Sequence, residues 1–166
     1  NLAQRTLSLI FKNCEGYLPA IRGHNDDDSA LLDLVGATVS QHIPAHYEDL
    51  AMSQGLESWM QAVFACNAYV DVQAPWALKK TDPERMETVL ATLFICIAQL
   101  AIAALPIIPG SATKLLDQMG VPLDVRNFHA AGSHWYSPLA ESNYQIAQPV
   151  GLFPRLEMPA EEGAAA

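Results

Sequence analysis

The sequence predicts an all-α helical bundle of about five helices, and three observations predict it. The stretch from Asp82 to Leu105 opens on an aspartate–proline pair and is then apolar on nearly every side. The stretches 1–14 and 53–72 repeat their apolar residues at spacings of three and four, which line one face of a helix. With 166 residues of which 51% are hydrophobic, the chain is long enough and apolar enough for one domain with a real core. The bundle is expected over residues 1–157, ending in an extended C-terminal segment, and the Ala-rich stretch 158–166 is expected to be a disordered tail.

Residues 1 to about 14 form a short amphipathic helix with Ala3, Leu7, Ile10 and Cys14 inward, widened by Leu2, Leu9 and Phe11. Its opposite face carries Asn1, Arg5, Ser8 and Lys12 in one row. Periodicity alone reads that row as a solvated face; the sharper reading is a hydrogen-bonding strip aimed at a polar ligand. Gly16 to Asp28 is a loop leading to a helix cap. A second helix is expected from Ser29 to about Leu50 on Leu32, Val35, Val39, Ile43 and Leu50, and Pro44 should kink or break it.

A third helix runs from near Ser53 to about Val72, with Leu56, Trp59, Met60, Val63, Cys66, Asn67 and Val70 inward. The Asn67 amide would need partners across the bundle. Gln73-Ala74-Pro75-Trp76 turns the next corner, because the residue before a proline is pushed away from helical geometry. Asp82-Pro83-Glu84 then caps and starts the long helix. Pro106 and Pro109 end that helix, and Ser111 to Met119 forms a short one stopped by Gly120. Val121 to Pro149 carries Trp135, Tyr136 and Tyr144 among Pro, Gly, Ser and Asn, and is expected to run extended over the bundle with no assigned role.

The net charge of −9 argues against a general nucleic-acid coat, so any such contact must be local. Cys14, Cys66 and Cys96 are too far apart for a zinc knuckle and read as buried, reduced thiols of a cytoplasmic protein. His42 and His46 lie four apart, but the intervening Pro44 spoils the helix that would align them on a metal. Val89 to Ile108 is long enough to cross a membrane, which Thr92, Gln99 and the lack of a second such stretch weigh against. No nucleophile motif, phosphate-cradling loop or metal cluster is present, so catalytic and metal-ligating residues are expected to be none. The chain opens on Asn rather than Met and reads as a piece of something longer.

Asn1-Leu-Ala-Gln-Arg5 at the head of a helix, Asn67-Ala-Tyr-Val-Asp71 and Gln73-Ala-Pro-Trp-Ala-Leu-Lys79 together resemble the anticodon-binding helical domain of bacterial methionyl-tRNA synthetases. Asp82-Pro-Glu-Arg85, the Leu105-Pro106 to Pro109 ending, Ala112 to Gly120 and Leu152-Phe-Pro-Arg155 extend the resemblance, which is continuous over residues 1 to about 120. It implies the anticodon-binding fold type of class I aminoacyl-tRNA synthetases, reading the CAU anticodon of methionine tRNA.

By position the resemblance gives Trp76 the role of stacking on a base. Asn1 and Arg5 would hydrogen-bond base edges, and Pro75 would hold the corner. Lys12, Lys79, Lys80 and Arg85 fall in the same two segments and are candidates for phosphate contacts. The implied partners are methionine tRNA and a catalytic domain of the parent chain, with no DNA and no membrane. ATP and zinc belong to the catalytic part, whose motifs this sequence lacks; no cofactor is expected here, and no activity from this piece alone. With its preceding turn missing, the first helix is expected to fray at Asn1. The alternative is a helical interaction or oligomerisation bundle that binds no RNA.

Overall fold

A computed structural model describes residues 2–131 and 134–153. Its organising element starts as the sequence predicts. Asp82 accepts the Arg85 N–H at 3.0 Å through Oδ1, and Pro83 follows as the first helical residue. The other long helices are laid around this one.

In chain order the helices are α1 (Leu2–Asn13), α2 (Asp26–Ala37), α3 (Ile43–Glu48), α4 (Met52–Gln73), α5 (Pro75–Thr81), α6 (Pro83–Ala104), α7 (Pro109–Gln118) and α8 (Tyr136–Glu141). Five of them run for ten residues or more, and α3, α5 and α8 are short connecting pieces. Helices α1, α2, α4, α5 and α7 all pack on α6. Met86 and every residue from Thr88 to Ala104 are buried. The length and apolarity that would suit a membrane are therefore matched to neighbouring helices instead.

The expected second helix is divided. Asn25 caps α2 four residues before Ser29: its Oδ1 accepts the Asp28 N–H at 3.0 Å, and Asp28 Oδ2 accepts the Asn25 N–H at 2.9 Å. After Ala37 the chain widens into a π turn, Thr38–His42, which ends with the Ile43 N–H donating to Thr38 O. Pro44 then lies in the first turn of α3, where its missing N–H costs nothing. Leu31, Val35, Val39 and Ile43 are buried, whereas Leu50 sits outside at the end with φ 58°.

Helix α4 differs from expectation in which face it buries. Gly55, Ala62, Cys66, Tyr69 and Val70 point inward, while Leu56 and Met60 are exposed, in a row with Met52 and Phe64. Tyr47 of α3 lies so close to Gly55 that a Cβ there would fall 2.5 Å from the ring, so small residues set the close approach of α4 to its neighbours. Asn67 donates to Val63 O of its own helix at 2.9 Å rather than across the bundle. One cross-bundle bond comes instead from Trp59, whose Nε1–H donates to Leu100 O at 2.9 Å.

The stretch after Gly120 is not an extended cover. Trp135 and Tyr136 enter the core beside Phe94, with ring centroids 6.3 and 5.7 Å from it, and Tyr136 Oη–H donates to Pro19 O at 2.7 Å. Tyr144 lies over Gly120, which takes φ 67° at the end of α7; a Cβ at that glycine would meet the Tyr144 ring at 2.1 Å. All three cysteines are free, with Cys66 and Cys96 fully buried and Cys14 partly so. The tail expected at 158–166 lies outside the described residues.

Candidate nucleic-acid interface

Helix α4 cannot run into α5, because Pro75 disfavours helical geometry at Ala74. Ala74 instead takes a left-handed conformation, φ 44° and ψ 59°. Its N–H donates to Val70 O at 3.0 Å, closing α4, and its carbonyl accepts the Ala77 N–H at 2.8 Å, opening α5. Pro75 is buried in the corner so formed, and Trp76, the next residue, is 48% exposed.

Because α1 and α5 both rest on α6, the polar face of α1 comes up beside this ring. The Arg5 guanidinium carbon lies 5.6 Å from the Trp76 ring centroid, and one guanidinium nitrogen is 3.9 Å from the exposed Asp71 carboxylate at the end of α4. A stack of this kind is worth about 0.5–1 kcal/mol at an exposed site, and the loose ion pair adds little. Arg5 is thus held over the ring by weak forces that a ligand can replace. Ser8 and Lys12 continue the same face of α1. On α5, exposed Lys79 and Lys80 follow Trp76 by three and four residues, a spacing that places them on the same side of the helix as its ring. The structure brings Arg5, Trp76 and Pro75 together from segments about seventy residues apart in the chain; Asn1 lies outside the described residues.

Arg85 does not join them. Its guanidinium turns inward to the fully buried Asp28, with Nη2–H donating to Asp28 Oδ1 at 2.8 Å and to Gln73 Oε1 at 2.7 Å. Tyr69 Oη–H donates to the same carboxylate. Burial works to raise the Asp28 pKa, but hydrogen bonds from Arg85, Tyr69 and the Asn25 N–H outweigh it and hold the group below the usual carboxylate range. The Arg85 pKa is raised by its hydrogen bonds to Asp28, and that of Tyr69 by burial and then by Asp28. Arg85 is committed to tying α6 to α2 and the end of α4, so the expected phosphate contact is corrected to a structural one. Sequence reasoning missed this network because Asp28 is 57 residues from Arg85; the only available signal was a run of three aspartates.

The arrangement, an exposed indole at a helix head with one stacked guanidinium and two lysines on the same helix side, suits unstacked nucleobases and their phosphates. The chain matches the family model for the anticodon binding domain of methionyl tRNA ligase over residues 18–158. The methionine–tRNA ligase of Mesorhizobium japonicum is 42% identical over 160 residues, a match covering 93% of this chain and 29% of that protein. The Brucella suis enzyme is 41% identical with the same coverages. The free-state crystal structure of Mycobacterium tuberculosis methionyl-tRNA synthetase superposes with a TM-score of 0.86 at 31% identity, over 96% of this chain and 32% of that one. The chain therefore spans about a third or less of these relatives, and it belongs to the family of anticodon binding domains of methionyl-tRNA ligases.

Proposed function

We propose that this chain reads the CAU anticodon loop of methionine tRNA, so that a catalytic domain of the parent protein, using ATP, can charge that tRNA with methionine. Trp76 stacks on an anticodon base, for which an aromatic platform contributes about 1–3 kcal/mol. Arg5 and Asn1 hydrogen-bond base edges, Pro75 fixes the corner, and Lys12, Lys79 and Lys80 hold phosphates despite the acidic total. The observation that carries this reading is the exposed Trp76 ring with Arg5 stacked on it, a place where a base can take over an existing contact. No step of the chemistry is assigned to these residues, and the chain alone should not activate methionine. Exposed Phe153, beside half-buried Leu152, is the proposed contact with the catalytic domain; Pro154 and Arg155 lie outside the described residues.

The test is a fluorescence titration with a methionine anticodon hairpin and a scrambled-loop hairpin. Trp135 is buried and Trp59 is hydrogen-bonded at half burial, so quenching by a loop should come from Trp76. Loop-dependent quenching that Trp76→Phe abolishes supports the stacking role, and equal responses to both hairpins refute it. In the full-length enzyme Trp76→Ala should cut charging about tenfold or more, the equivalent of losing one stacked base.

A second reading, a protein-docking bundle, is favoured by one feature: the exposed row Met52, Leu56, Met60 and Phe64 along α4. It predicts concentration-dependent assembly and no response to either hairpin.

A further inference from the structure

Trp76 is half exposed and its ring meets Arg5 through a weak stack, so the direction it faces is set by the short helix that carries it. Helix α5 has seven residues, too few to hold itself unless its ends are tied. One residue reaches both ends. Arg85 donates its backbone N–H to Asp82 Oδ1 at 3.0 Å, and Asp82 is the residue that closes α5. Its guanidinium Nη2–H donates to Gln73 Oε1 at 2.7 Å, and Gln73 is the last residue of α4, directly before the left-handed Ala74 that opens α5.

Gln73 suits that place better than other side chains of its length. Its amide lies between opposite charges: Oε1 accepts from the Arg85 guanidinium, and Nε2–H donates to Asp27 Oδ2 at 3.0 Å. Oxygen toward the cation and nitrogen toward the anion is the one orientation that satisfies both, so the amide is held against turning over. Glutamate would meet Asp27 with like charge, and methionine would fill the space with no hydrogen bond. Asp27 thereby fixes the end of α4 to α2, and Arg85, itself bonded to buried Asp28, fixes it to α6. Joining these helices does not by itself call for this second clamp, because Tyr69, one turn earlier on α4, already donates to Asp28. What Gln73 adds is a hold on the step of backbone from which Trp76 projects.

We propose that Gln73 is a positioning residue for anticodon recognition: held between Arg85 and Asp27, it fixes the direction of the Trp76 ring without itself touching RNA. This rests on the reading of the Trp76 corner as the anticodon site. The experiment is charging of methionine tRNA by the full-length enzyme, with kcat/KM for tRNA measured for Gln73→Met, Trp76→Ala and the double variant. Gln73→Met should lower kcat/KM about three- to tenfold when Trp76 is present and no further in Trp76→Ala, because without the ring there is nothing left to aim. A residue that only stabilised the bundle would lower it by the same factor in both backgrounds. Gln73→Glu should also lower it, and adding Asp27→Asn should restore it, since that pair again sets a donor against an acceptor at unchanged net charge. Normal charging by Gln73→Met beside an impaired Trp76→Ala overturns this proposal alone, as do equal losses in both backgrounds or no recovery in the charge-swapped pair. Normal charging by Trp76→Ala is a different result, which overturns the anticodon reading of the corner.

Discussion

Asp28 shows how one side chain can carry several interactions. It closes the capping box of α2 and takes hydrogen bonds from Arg85 and Tyr69 while fully buried. Removing its cation leaves an uncompensated buried charge, so Arg85→Met should cost about 3–5 kcal/mol in urea unfolding, and the double variant with Asp28→Asn should recover part of that. Because the folded pKa of Asp28 lies below its unfolded value, the stabilisation is complete above the ordinary carboxylate range and is lost as pH falls through the folded value. Unfolding midpoints of the wild type should therefore drop below about pH 4, and those of Asp28→Asn should depend less on pH there. At the candidate interface, replacing Lys79 and Lys80 by alanine should lower the slope of log affinity against log salt by about 0.7 for each phosphate no longer neutralised. The corner that exposes Trp76 beside Arg5 was legible because the Gln-Ala-Pro-Trp turn and the Asn-x-x-x-Arg helix form a specific pair of signals. The inward turn of Arg85 was not legible, since a basic residue beside two lysines looks the same whether it faces solvent or a buried aspartate.

Helix ends were easier to read than helix faces. Asp82-Pro83, Pro106 and Gly120 act through local backbone chemistry, and each starts or follows a helix where expected, whereas Pro109, expected to help end the long helix, instead opens α7 two residues before Ser111. The buried face of α4 depends on what lies opposite, so Gly55 against Tyr47 and Tyr69 against Asp28 decided an orientation that the apolar spacing of Leu56 and Met60 did not reveal. The corner between α4 and α5 carries strain that can be measured. A non-glycine residue in the left-handed region costs about 1–2 kcal/mol, so Ala74→Gly should leave the chain as stable or up to about 1 kcal/mol more stable. The same change frees the corner, and hairpin affinity should fall if the presentation of Trp76 depends on its rigidity. Calorimetry and the hairpin titration on one variant separate the two effects.

For the molecule as a whole, stability is concentrated on one helix. Phe94 touches both Trp135 and Tyr136, which come from the stretch least legible in the sequence: its Pro, Gly, Ser and Asn content looked like a surface run, and these two aromatic residues, with buried Val121, Val125 and Ile146, turn it into core. Phe94→Ala should therefore cost about 3–5 kcal/mol and loosen the segment after Gly120, seen as faster hydrogen exchange there than in α4. The thiols report the same packing. Burial pushes the Cys14 pKa up to about 11, and the Cys96 thiol is raised by its hydrogen bond with Cys66 and by burial. Folded protein at pH 8 should react slowly with a thiol reagent, and urea should release all three groups together.

The π turn before Pro44 has a consequence for how the chain can change length. A proline inside a regular helix collides with the carbonyl one turn back, and the extra residue of the wider ring gives that carbonyl room to move aside. The insertion and the proline are then a matched pair. Relatives that have exchanged the proline for a residue with an N–H should be free to drop one codon between positions 38 and 42, and an alignment gap there should accompany loss of the proline rather than occur beside it.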